Sequence, residues 1–152
     1  CNNCIFTDNC YAKNKSIICD LPAKANKIKV KDRYLCFLII KNSTSVLFLK
    51  KKSGVWSGLY EFPSVEFLNQ ISNNQILQSN EFLGVLKNEK FQVNHISSTI
   101  IYKLSHQKIH VKFLHINCDN VNNLDYLKID LSEMYKLPVS RLIDKYLSKN
   151  SI

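Results

Sequence analysis

Apolar residues in this chain change spacing several times, and each change marks a predicted element. Tyr34–Ile40 is an unbroken apolar run of strand length, rich in β-formers, and Val46–Leu49 is a second. Between them Lys41-Asn-Ser-Thr-Ser45 supplies turn residues, so the two runs predict a β-hairpin. Leu59–Phe62 predicts a short strand ending at Pro63, which has no N–H to give to a ladder. Val65, Leu68, Ile71, Ile76 and Leu77 suit one or two short helices over Val65–Gln78, interrupted at Ser72-Asn73-Asn74. Phe82–Leu86 predicts a strand. Ile96–Leu104 and Ile109–Ile116 predict the arms of a second hairpin, turning through Ser105–Lys108. Leu131–Leu137 and Val139–Leu147 predict helices, the second opened by Pro138 and carrying Leu142, Ile143, Tyr146 and Leu147 at core spacing. The fold class expected is α+β, an α/β sandwich with a mixed sheet and few helices.

Ahead of this region residues 1–12 are polar, bear cysteines and show no period, and residues 13–31 are rich in lysine around a single Pro22. A length of 152 residues accommodates one domain of about 100 to 150 residues with an extension. The net charge of +9 favours a polyanionic partner. Lys24, Lys27, Lys29, Lys31 and Arg33 alternate with apolar or small residues, so an extended backbone would align cations along a phosphate chain; a solvated linker has the same composition. With no signal-peptide pattern and no bilayer-length apolar run, the expectation is a reduced, cytoplasmic protein without a membrane partner.

Cys1-x2-Cys4-x5-Cys10 offers three thiolates, which suit zinc or an iron–sulfur cluster. Three do not complete a four-ligand site, so the fourth is either Cys19 or a residue ahead of this chain; unligated cysteines in a frayed terminus are the plain alternative. Cys36 and Cys118 lie in β-like apolar runs and are expected to be core thiols. Trp56 is assigned to packing. His95, His110 and His115 lack metal spacing, and His115 is expected to face away from the core positions of its strand.

Taken in order, Cys1-x2-Cys4-x5-Cys10, Leu21-Pro22 with spaced lysines and Asp32-Arg33-Tyr34, Gly54-x-Trp56-x-Gly58-Leu-Tyr-Glu-Phe-Pro63, and Leu104-Ser105-His106 resemble the carboxy-terminal part of bacterial adenine DNA glycosylases, the MutY family. The resemblance spans essentially the whole chain and implies a Nudix-like sandwich over 32–149, preceded by a basic interdomain connector over 13–31. Residues 1–12 would then end a [4Fe-4S] loop whose last three ligands are Cys1, Cys4 and Cys10, the first lying upstream. The implied partners are double-stranded DNA containing 8-oxoguanine:adenine mispairs and the N-terminal glycosylase domain of the same polypeptide. The catalytic Glu and Asp would also lie upstream, so this chain, expected to be a bacterial DNA-associated monomer, would hold no catalytic residue.

Within that resemblance Leu104, Ser105 and His106 are the lesion-recognition residues. Oxidation turns the N7 acceptor of guanine into an N–H donor and adds a carbonyl at C8; a serine hydroxyl both donates and accepts, and so can meet that altered edge. His106 would order the loop or approach a phosphate. Leu104 stands where the family carries an aromatic, although leucine can also wedge between bases. The rival reading is an active Nudix nucleotide pyrophosphohydrolase, which needs a Glu-rich helix to hold Mg²⁺ against phosphates. After Gly58 come Glu61 and Glu66 and then no acidic residue until Glu81, so no Mg²⁺ site is expected. A small zinc-binding interaction module ranks third.

Overall fold

The computed structural model describes residues 1–23, 29–87, 89–150 and 152, with no account of the Asn123 side chain. A single eight-stranded mixed sheet dominates it. The central strand β1 (Lys31–Lys41) runs antiparallel to β2 (Ser45–Lys50), as the two apolar runs and the turn residues between them predict. The Asn42 side-chain oxygen accepts from the Thr44 and Ser45 amides at 3.0 and 2.8 Å, closing that turn. On its other side β1 pairs in parallel with β7 (Gln107–Cys118), in register from Lys31 opposite Gln107 to Lys41 opposite Asn117. The short strands β3 (Tyr60–Glu61) and β8 (Leu127–Asp130) join β2; β4 (Ser64–Phe67) joins β1; β5 (Phe91–Ile96) and β6 (Ile100–Lys103) join β7.

Alternation along β1 divides the core into two layers, because successive side chains point to opposite faces. Leu35, Phe37 and Ile39 pack with Ile109, Val111 and Phe113 of β7 under helix α4 (Arg141–Leu147). Cys36, Leu38 and Ile40 pack with Leu114 and Ile116 under α2 (Asn73–Gln78) and α3 (Asn80–Leu86). The thiols Cys36 and Cys118 are buried as expected, and burial pushes the Cys36 thiol up to about 12. A four-residue helix α1 (Tyr11–Asn14) lies in the amino-terminal segment. Among the described residues no helix is long and apolar enough to cross a membrane.

Several predicted elements differ from those observed. Val65 belongs to β4 opposite Cys36 and not to a helix, because a β1 partner claims the chain immediately after Pro63. Phe82–Leu86 is helical in α3: Ser79 caps it by accepting from the Phe82 amide, and Phe82 and Leu86, one turn apart, bury together under the sheet. Leu131–Leu137 holds only a 3-10 turn over Met134–Lys136. The last helix begins at Arg141 behind an Ser140 cap, so Pro138 sits outside it.

His115 shares the face of Phe113 instead of opposing it. It is buried, its Nε2 lies 2.7 Å from the Tyr146 hydroxyl, and burial, reinforced by His95 and Lys41, holds its pKa below the ordinary histidine value. The unfolded chain therefore takes up a proton at this side chain before the folded one does. Stability is expected to fall as pH drops from about 6.5 towards the lower folded value. His115→Gln should flatten that part of the Tm-against-pH curve; an unchanged slope would assign it to other groups.

Candidate nucleic-acid interface

Strands β6 and β7 form the second hairpin, its first arm confined to Ile100–Lys103 because Ile96 ends β5, with Lys103 opposite Lys108 as the last pair and the Leu104 amide donating to the Gln107 carbonyl at 2.8 Å. Four-residue closure of this kind leaves the tip projecting. Ser105 and His106 are exposed at that tip, as a contact role requires. Leu104 is placed differently from a wedge: it is half-buried and packs against the core layer beneath α4, so it anchors the turn.

The parallel β1–β7 pairing brings the start of β1 to the same place. The Lys31 amide donates to the His106 carbonyl at 3.1 Å, and Lys29 and Lys31 are both exposed. Exposed Lys103 and half-buried Lys108 stand on the hairpin arms, so four lysines frame the tip. Lys24 and Lys27 lie outside the described residues. Asp32 is the carboxylate nearest this group along the strand; it meets His110 Nε2 at 2.7 Å and the Lys108 amine at 3.9 Å, while His110 stacks on Tyr34.

Arg33 departs from the expected phosphate stripe. Its guanidinium forks onto Glu66, with Nε and Nη2 each 2.6 Å from a carboxylate oxygen, and Nη1 donates to Gln107 Oε1 at 3.0 Å. That planar match clips β4, β1 and β7 together. The hydrogen-bonded guanidinium holds the Glu66 carboxyl below the usual carboxylate range, and Glu66 in turn raises Arg33. Glu61 is buried and accepts from the Lys51 amine at 2.8 Å. The two glutamates that follow Gly58 are thus each held by a cation, and Glu81 is the one carboxylate along α2 and α3.

Cys1 and Cys4 are exposed and linked by a backbone turn, and the half-exposed Cys10 precedes α1. Their donor type fits a thiolate-held cluster, but among the described residues no three His, Cys, Asp or Glu side chains gather as a metal ion would need.

Lys103 and Lys108 were not singled out from the sequence, although the alternation of the second hairpin places them at its mouth. Trp56 is half-buried against the core layer under α4, edge-on to Tyr102 with ring centroids 6.1 Å apart. Its position against the β6 arm depends on packing between distant segments and has no local signal.

A family model described as the NUDIX domain matches residues 35–149. The chain belongs to the NUDIX domain family. No curated protein matches the sequence. Among solved structures, this Nudix domain is similar to the C-terminal domain of mouse MUTYH, solved in complex with human PCNA, at 18% identity and a TM-score of 0.53, covering 76% of this chain and 85% of that one. It is also similar to the E. coli ORF135 protein, at 16% identity and a TM-score of 0.53 over 78% of this chain and 88% of that one. C. elegans Ap4A hydrolase matches at 11% identity and a TM-score of 0.54, over 76% of this chain and 93% of that one. At these identities the likeness is one of fold, and the fold is the α+β Nudix-like sandwich expected from the sequence.

Proposed function

We propose that this Nudix domain is the lesion-reading part of a MutY-type adenine DNA glycosylase, holding 8-oxoguanine opposite adenine while a catalytic domain on the same polypeptide excises the adenine. The observation that carries this reading is the exposed Ser105-His106 tip framed by Lys29, Lys31, Lys103 and Lys108. Lysines around the tip supply sequence-independent attraction to phosphates, and the Ser105 hydroxyl supplies discrimination. Engagement of Glu61 and Glu66 by Lys51 and Arg33 supports binding over Mg²⁺-dependent hydrolysis. In this reading Cys1, Cys4 and Cys10 are three ligands of a [4Fe-4S] cluster completed by an upstream residue, and the protein is cytoplasmic and DNA-associated.

The test is the ratio of affinities for two duplexes that differ only in carrying 8-oxoguanine or guanine opposite adenine. Ser105→Ala is expected to lower that ratio about tenfold, or about 1.4 kcal/mol, with little change on the undamaged duplex. An equal loss on both duplexes would remove the lesion-reading role. Mg²⁺-dependent turnover of nucleoside triphosphates by the same chain would replace it with hydrolysis.

A further inference from the structure

We infer that the loop between β2 and β3 is a second DNA contact, in which Trp56 stacks on a nucleobase displaced from its helix and Lys52 takes an adjoining phosphate. This deepens the lesion-reading proposal and rests on it for the identity of the DNA.

The loop is tightly closed. The Lys51 amide donates to the Leu59 carbonyl at 2.9 Å and the Gly58 amide to the Lys51 carbonyl at 2.8 Å; inside it, the Ser57 amide bonds the Gly54 carbonyl and the Leu59 amide bonds the Trp56 carbonyl. Three of its residues have left-handed backbones, Gly54 at φ +77°, Trp56 at +69° and Gly58 at +86°. Added Cβ atoms at the two glycines would meet nothing within 4 Å, so φ and not space selects glycine there. Tryptophan has no such freedom. A bulky residue is a conformational outlier at this φ, and outliers of that kind persist where they serve a ligand clamp or a switch.

The left-handed backbone sets the indole edge-on to Tyr102, three residues before Ser105, which puts the loop against the β6 arm that leads into the hairpin tip. A half-buried ring braced on one side by the core is pre-organised for stacking, because ordering it again on binding costs little. The charge is of the right sign: Lys50-Lys-Lys52 opens the loop, no Asp or Glu occurs between Asp32 and Glu61, and Glu61 is occupied by Lys51. Exposed Lys52 is held by its own carbonyl accepting from the Ser57 hydroxyl at 3.1 Å. An aromatic ring interleaved with lysines is the combination that binds unpaired strands, since every base has a π-face and every linkage a charge.

Trp56 is the single tryptophan, so its fluorescence reads the site directly. The full 152-residue chain is titrated with a single-stranded oligodeoxyadenylate and with an abasic sugar-phosphate oligomer of equal length, following binding independently by the anisotropy of a dye on the DNA. The expected result is strong quenching by the base-bearing strand and none by the abasic one. Affinity for the base-bearing strand should fall about tenfold in Trp56→Leu and less in Trp56→Phe, with Tm recorded for both so that lost folding is recognised. Lys52→Ala should shallow the salt dependence without changing the quench. Binding without quenching, equal quenching by both oligomers, or no binding would overturn the assignment. The lesion-reading proposal fails separately, through an unchanged affinity ratio in Ser105→Ala, while the quench persists.

Discussion

Phe113→Ala is expected to destabilise the fold by about 3 to 5 kcal/mol, the range for truncating a buried aromatic in a close-packed core. Phe113 is fully buried, with its ring stacked on Tyr146 of α4 at 3.7 Å and on Phe37 of β1 at 5.3 Å. Its backbone exchanges hydrogen bonds with Ser97: the Phe113 amide donates to the Ser97 hydroxyl and its carbonyl accepts from the Ser97 amide, both at 2.9 Å. Those bonds hold the strand in place, so the neighbours cannot collapse fully into the space the ring leaves. Urea titration should show a lower midpoint with an unchanged slope. Phe113→Leu keeps most of the volume and should cost much less. A loss below about 1 kcal/mol for Phe113→Ala would mean that α4 does not close this layer.

Lys51→Ala is expected to cost about 3 kcal/mol, near the low end for breaking a buried ion pair. The Glu61 side chain is 7% exposed and the Lys51 side chain 27%, so removing the lysine strands a carboxylate that water can scarcely reach. The partly open lysine end sets the value low in the range. Combining Lys51→Ala with Glu61→Leu should recover most of the loss, because the penalty lies in the unpaired charge more than in the lost bond. A double variant no more stable than Lys51→Ala would show that the pair is replaceable by water. The same pair spans the base of the Trp56 loop, so Lys51→Ala should also raise the rotational freedom of the indole, measured as a fall in its steady-state anisotropy.

Phe113 meets Tyr146 and Phe37 from distant parts of the chain whereas Lys51 meets Glu61 across a single loop, and separation of that kind divides what is legible in the sequence from what is not. The β1–β2 hairpin was legible because its signals are local: two apolar runs and an Asn-Ser-Thr turn whose side chains close it. The β6–β7 hairpin and the final helix were legible for the same reason. Phe82–Leu86 misled because five residues rich in apolar side chains satisfy either period, and the Ser79 cap settles the matter only once Phe82 and Leu86 find the sheet. Short β8 alternates too briefly to stand out from its polar surroundings.

At the candidate interface the chemistry was carried by residue type and order: a hydroxyl and an imidazole at a hairpin tip, a basic approach, and two glutamates where a metal helix would need more. Which cations remain available was settled by folding. Parallel registry of β1 with β7 sets Lys31 against His106 and brings Gln107 to Arg33, while antiparallel pairing of β1 with β4 brings Glu66, and together these remove Arg33 from the phosphate stripe. Burial decides that Leu104 anchors, and core packing sets a strained Trp56 edge-on to Tyr102 of the same hairpin arm. Alternation and turn chemistry act over a few residues, whereas the partner of a parallel strand is selected by the packing of both sheet faces at once, which no single segment encodes.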